Sequence, residues 1–150
     1  MEKKFPLTKE KFKYIYSRVP RLCVEIVINT PKGILLTLRD IEPCKNLWHI
    51  PGGTVYCRET IKDAIGRVAR EELSIEVNIV RLAGYAEYPS EEKFRGWGWP
   101  IAFQFICKIK SGKPRVNEQA RDMHFFKKFK DIPENTIEEH KKILRKLLEI

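Results

Sequence analysis

Two hydrophobic periods run through the chain. In "LCVEIVINT" (22–30) and "ILLTLRD" (34–40), aliphatic and β-branched residues cluster on either side of "PKG", which predicts two strands joined as a hairpin. "IEVNIVRLAGYAEY" (75–88) and "WPIAFQFICKIK" (99–110) predict two longer strands, with "PSEEKFRGWG" as the polar loop between them and "MHFFKKF" as a further strand. "IEPCKN" reads as a loop, and "LWHI" as a brief extended piece ended by Pro51, which biases its predecessor away from helix. The other period is helical. Ile61, Ala64, Ile65, Val68 and Ala69 recur at intervals of three and four, giving an apolar stripe that needs a sheet to pack on. Thr60 and Asp63 have capping-box spacing, so this helix is expected to start at Ile61. Lys9 to Ser17 predicts a short helix capped by Thr8. Glu138 to Leu148 predicts a last amphipathic helix with Ile143, Leu144, Leu147 and Leu148 on one side.

A length of 150 residues fits a single domain spanning 1–150, and 43% hydrophobic content is enough to build its core. No segment offers the roughly 18 consecutive apolar residues of a membrane span, and the N-terminus lacks the apolar run of a signal peptide, so the cytoplasm is the expected address. Cys23, Cys44, Cys57 and Cys107 are scattered without a C-x-x-C pair, which argues for reduced, mostly packed thiols over zinc ligation or a disulfide framework. The net charge of +9 would draw in phosphates, nucleotides or nucleic acid. Much of the excess, however, lies in "KEKFK", "KKFK" and "KKILRK", which read as solvated faces. High Lys and Glu content is also a feature of heat-adapted proteins.

Candidate chemistry concentrates in "PGGTVYCRETIKDAIGRVAREELSI" (51–75). Gly52 and Gly53 allow a close backbone approach that side chains would obstruct. One helical turn brings Val68, Glu71 and Glu72 to a common side. A glycine carbonyl facing those carboxylates would make a nest for a hard cation, and Mg2+ prefers a few carboxylates completed by substrate phosphate oxygens and water. A bare Glu-Glu pair near a helix end would ordinarily be solvated surface. The wider pattern favours the nest: glycine, five residues, Glu59, seven residues, Arg67, then Glu71-Glu72 and the aliphatic Ile75.

This pattern resembles the signature of the Nudix hydrolases, G-x5-E-x7-R-E-U-x-E-E-x-G-U with U aliphatic. "PRLCVEIVINTPKG", "LLTLR", "NLWHIPGG" and "NEQARD" extend the similarity over roughly three quarters of the chain, in the order found in the GDP-mannose mannosyl hydrolase branch. The resemblance implies an α/β/α sandwich with a mixed sheet, the motif helix on one side and the C-terminal helix on the other. It also implies an Mg2+-dependent hydrolase (Mn2+ serving as well) that acts on a nucleotide or nucleotide sugar such as GDP-mannose, and a homodimer. On the same resemblance the Gly52 carbonyl, Glu72 and Gln119 look like metal ligands, with Glu71 assisting directly or through water. Arg67 and Arg39 look like organisers of the anion. Glu25 falls where a nucleotide is contacted, and Tyr88 stands near a position where the branch has a histidine.

Some of these positions also have a rationale in chemistry alone. The Arg39 guanidinium suits phosphate oxygens, although a surface arginine at a strand end looks the same. Glu25 sits among apolar strand residues and needs a partner: a guanine, a cation or a salt bridge. Trp97 and Trp99 suit stacking on a base or sugar, or packing in the core or at a dimer contact. His49 and His140 read as turn packing and helix surface.

The signature is broken at two places. Val68 replaces its first helix glutamate, and Ser74 replaces the glycine that ends the helix. The branch also expects a histidine base after the late-loop glutamine, where this chain has Ala120. Glu118 is the expected replacement base, and His124, four strand residues on, reads as a sheet residue. Three functions are therefore compared. The first is substitution at the sugar carbon of a nucleotide sugar, in which the diphosphate leaves intact and fewer carboxylates suffice. The second is pyrophosphatase attack at phosphorus, as on ADP-ribose. The third is a degenerate nucleotide- or RNA-binding module.

Overall fold

A computed structural model describes residues 5–148. Strands β1 (Arg21–Thr30), β2 (Gly33–Arg39), β3 (Trp48–His49), β4 (Gly52–Thr54), β5 (Glu76–Glu87), β6 (Pro100–Ser111) and β7 (Ala120–Phe126) form one mixed sheet. Its main path runs β3-β2-β1-β6-β5, with β4 added to β1 and β7 to β2. Only the β1–β6 contact is parallel; all other pairs are antiparallel. The helices are α1 (Lys9–Tyr16), α2 (Ile61–Leu73), α3 (Pro89–Arg95) and α4 (Glu138–Leu147).

Alternation along β1 divides the core. Val24, Ile26 and Ile28 join Ala64, Ile65, Val68, Ala69 and Leu73 of α2 on one face. Val27 turns to the opposite face with Ile143 and Leu144 of α4. Each such fully buried aliphatic side chain stabilises the fold by about 1.5–3 kcal/mol. Helix α2 begins as its capping box predicts, with Thr60 Oγ1 accepting from Asp63 N at 3.0 Å. It ends at Ser74, which takes the left-handed conformation (φ 59°) in place of the signature glycine.

The expected hairpin, long strands and helices form, but two expectations fail. Residues 89–98 are not a plain loop: Pro89–Arg95 makes helix α3, with Pro89 at its first position, where the missing N–H costs nothing, and Gly96 closing it at φ 84°. His140 does not lie on the helix surface, because α4 turns it into the sheet at 2% exposure. Cys23, Cys44 and Cys107 are buried free thiols, whereas Cys57 is exposed. Among the described residues, no helix is long and apolar enough to cross a membrane.

Candidate active site

A cavity of about 430 Å3 opens beside the glycine turn. Its wall takes in Gly52, Gly53, Arg39, Gln119, Glu25, Tyr88 and His140, and continues to Arg21, Glu91 and Arg95. Gly52 cannot be replaced without movement: an added Cβ would lie 2.6 Å from the Val24 carbonyl oxygen and 2.9 Å from Glu25 Cγ.

The motif residues around the turn divide their work. Arg67 is 3% exposed. Its Nε and Nη2 donate to the two Glu59 oxygens at 2.7 and 3.0 Å, Nη2 donates to the Thr54 carbonyl at 2.7 Å, and Nη1 reaches Glu71 at 3.0 Å. The Tyr56 ring lies 3.7 Å from the guanidinium carbon. Arg67 therefore ties the 54–59 segment to α2 and orients Glu71, its donors engaged with protein groups outside the cavity wall.

Glu72 is half-buried, and burial above all pushes its carboxyl up to about 7; Arg39 and Arg67 pull the other way, while Glu71 and Glu118 add to the rise. The late loop bearing Glu118 and Gln119 is held at this place from both sides. Asn117 Nδ2 donates to the Glu71 carbonyl at 2.9 Å, and Asp40 N donates to the Gln119 carbonyl at 2.8 Å. Arg39 lines the cavity and, among the described residues, bonds to protein through Nε alone, at 2.6 Å from the Pro43 carbonyl.

Val68 occupies the place of the missing glutamate as a core residue, 1% exposed, and its Cγ2 would be 3.1 Å from a Cβ on Gly53. An acid there would be buried against the glycine turn. Among the described residues no cluster of three or more His, Cys, Asp or Glu side chains is placed to hold a metal. The donor set nevertheless fits a cation completed by substrate. A half-buried carboxyl strained by two acidic neighbours is relieved by positive charge, and Mg2+ is commonly held by one or two carboxylates with phosphate oxygens filling the rest.

Deeper in the cavity, Glu25 accepts from Tyr88 Oη at 2.5 Å, His140 Nε2 at 2.7 Å and Gln104 Nε2 at 3.0 Å. The Ile50 N–H donates to His140 Nδ1 at 3.0 Å, so the ring hydrogen sits on Nε2 and points to Glu25. Burial would raise the Glu25 carboxyl, but His140, Tyr88 and Gln104 together hold it below its ordinary value. A pKa lower in the folded than in the unfolded state contributes stability above about pH 4.3, which is lost as pH falls through the folded value. Urea titrations are therefore expected to show the wild type losing stability between pH 5 and pH 3, and Glu25→Gln, weaker at pH 7, converging with it at the acid end.

Four further residues singled out in the sequence take these places, His124 as the sheet residue the sequence predicts. His124 is exposed on β7, its ring 4.8 Å from that of Phe126, remote from the late loop in register. His49 is buried against Thr37 Oγ1 at 2.9 Å. Trp97 packs beside Phe12 with ring centroids 5.9 Å apart, while Trp99 is partly exposed.

Comparison with known proteins decides the family: the NUDIX domain model matches residues 19–147. The chain belongs to the Nudix family. A relative from Haloferax volcanii, the low-salt glycan biosynthesis protein Agl8, is 40% identical over 79 residues, 53% of this chain and 51% of that protein. The Nudix chain thus spans about half the length of that relative. An ADP-ribose pyrophosphatase from Methanocaldococcus jannaschii is 27% identical over 143 residues, covering 95% of this chain and 82% of its own. A crystal structure of a MutT NUDIX hydrolase from Burkholderia pseudomallei superimposes with a TM-score of 0.76 at 25% identity, over 85% of this chain and 97% of that one.

Arg21, Glu91, Arg95 and His140 were not legible as cavity residues. The only local signal was the i, i+4 spacing of Glu91 and Arg95, which marks a helix face once the segment is known to be helical.

Proposed function

We propose that this Nudix protein hydrolyses a nucleoside diphosphate linked to a sugar, with Mg2+ or Mn2+ held by the Gly52 carbonyl, Glu72 and Gln119 and with Glu71 beside them. One observation carries the proposal: a single cavity joins the glycine turn and Gln119 to Arg39 and on to the Arg21, Glu91 and Arg95 cluster, a longer polar wall than a lone phosphate needs. The cation, when bound, neutralises the diphosphate. Arg39, with its terminal nitrogens free of protein partners among the described residues, binds phosphate oxygens. Arg67 is a positioning residue that holds Glu71 in place.

The favoured bond is the one between the sugar's anomeric carbon and the diphosphate oxygen. Water adds its oxygen to that carbon, the bonding pair leaves with the diphosphate, and Glu118 takes the water proton. Val68 supports this assignment: a chain that buries valine at the glutamate position has one acid fewer for activating a nucleophile at phosphorus. The second reading, attack at phosphorus, is favoured by the similarity to the ADP-ribose pyrophosphatase along nearly the whole chain.

Turnover of GDP-mannose and ADP-ribose in H2 18O, with products weighed by mass spectrometry, separates the two. With GDP-mannose, label in free mannose and unlabelled GDP is the expected result. Label in a monophosphate moves the reaction to phosphorus, and no turnover with either cation rejects hydrolysis of these substrates.

A further inference from the structure

Helix α3 presents two charged groups to the cavity that the proposed chemistry does not use. Among the described residues, Glu91 Oε2 and Arg95 Nη1 are buried atoms with no hydrogen-bond partner, and they face each other across 3.7 Å. Both residues line the cavity. The separation is too long for a direct hydrogen bond, so each atom keeps a hydrogen-bonding capacity that no described protein group meets.

Neighbouring contacts fix the two groups in place. Arg21 Nη2 holds the other Glu91 oxygen at 2.7 Å, and Arg21 Nη1 is anchored on Thr54 Oγ1 at 2.8 Å. The Arg95 guanidinium lies over the Trp97 ring at 4.6 Å and nearer the edge of contact with Phe12 at 5.7 Å. The start of α3 is pinned to α4, where Ser90 N and Oγ both donate to Glu139, at 3.1 and 2.8 Å. A rigid acceptor and a rigid donor thus stand side by side at low solvent exposure.

We propose that Glu91 and Arg95 grip one hydroxyl group of the substrate's sugar, which accepts from Arg95 Nη1 and donates to Glu91 Oε2. A phosphate would meet the Glu91 carboxylate and a cation would meet the guanidinium, so each is repelled by one member of the pair. A hydroxyl satisfies both. Arg39 lines the same cavity as the α3 pair and the glycine turn, so a diphosphate held by Arg39 brings its attached sugars within the same enclosure. The inference rests on the proposed class of substrate, a diphosphate bearing sugars. The hydroxyl comes from one of two sources, the ribose of the nucleoside or the terminal sugar.

The test is a matrix of variants against hydroxyl-deleted probes, read by equilibrium binding in EDTA and by KM and kcat with Mg2+. The probes are ADP and GDP with their 2′- and 3′-deoxy forms, and ADP-ribose and GDP-mannose with deoxygenated terminal sugars. Glu91→Gln and Arg95→Met are each expected to weaken binding of one parent probe by about 10- to 100-fold, the cost of a hydrogen bond to a charged group. They are expected to lose nothing further on the one deoxy analogue that lacks the gripped hydroxyl. Absence of the variant effect on a 2′- or 3′-deoxy nucleotide assigns the ribose, and its absence on a deoxygenated terminal sugar assigns the terminal sugar. Arg95→Met leaves the Arg21–Glu91 ion pair in place, so it remains informative if Glu91→Gln unfolds, which circular dichroism melting checks. Equal loss on every analogue, or no loss, overturns the grip even if hydrolysis proceeds. Conversely, preserved discrimination of hydroxyls without turnover would reject the hydrolytic function and leave the contact standing.

Discussion

Glu72→Gln is expected to abolish metal-dependent turnover, lowering kcat by at least about 100- to 1000-fold, the scale of losing one preorganised electrostatic contact in a catalytic site. The amide keeps the shape of the side chain and removes its charge. Because Glu72 is half-buried and its carboxyl is already pushed up to about 7 by burial, the metal-free variant should fold as well as the wild type or slightly better. Thermal melts without metal should therefore coincide or move upward, whereas the gain in melting temperature on adding Mg2+ should shrink. Turnover undiminished in the variant would remove Glu72 from the ligand set. Loss of turnover with a collapsed melt would show that the residue serves the fold instead.

That asymmetry explains why the centre of the site was readable from the sequence and its outer wall was not. The spacing of Gly53, Glu59, Arg67, Glu71 and Glu72 is local: a turn, a cap and about three turns of helix generate it between positions 53 and 72, so helix geometry alone brings the acids to one side. The strand character of β1 was readable for the same reason, since Val24, Ile26 and Ile28 alternate with Cys23, Glu25 and Val27, whereas the mixed sheet followed only from the family resemblance. The Glu25 network is different in kind. Its donors come from Tyr88, Gln104 and His140, as far as 115 positions away, and only the parallel pairing of β1 with β6 and the docking of α4 bring them together. His140 follows Glu138 and Glu139 in a strongly charged helix, and nothing local shows that the helix turns this residue inward. The α3 pair was hidden by composition, because the polar, glycine-containing segment "PSEEKFRGWG" has the look of a loop until the proline at its start and the glycine after Arg95 are seen as helix limits.

The largest expected effect on stability belongs to Arg67. Arg67→Met keeps most of the apolar stem while removing a guanidinium that joins Glu59, Glu71 and the Thr54 carbonyl beneath 3% exposure. The Glu59 side chain, 4% exposed, then keeps its charge without that guanidinium. Removing one partner from a buried pair costs about 3–5 kcal/mol, more than the pair itself contributes over an apolar replacement. Urea titration of Arg67→Met should show a loss of that size, and Glu59→Gln with Arg67→Met should recover at least about 1 kcal/mol relative to the sum of the single losses. Purely additive losses would mean that the two side chains stabilise the fold separately. Coupling places them in one clasp, in which the 54–59 segment is fastened to α2 and Glu71 is oriented through the same guanidinium. The clasp then sets how far the glycine turn can move from the helix acids, so the Arg67→Met protein should also lose affinity for Mg2+ although Arg67 does not line the cavity.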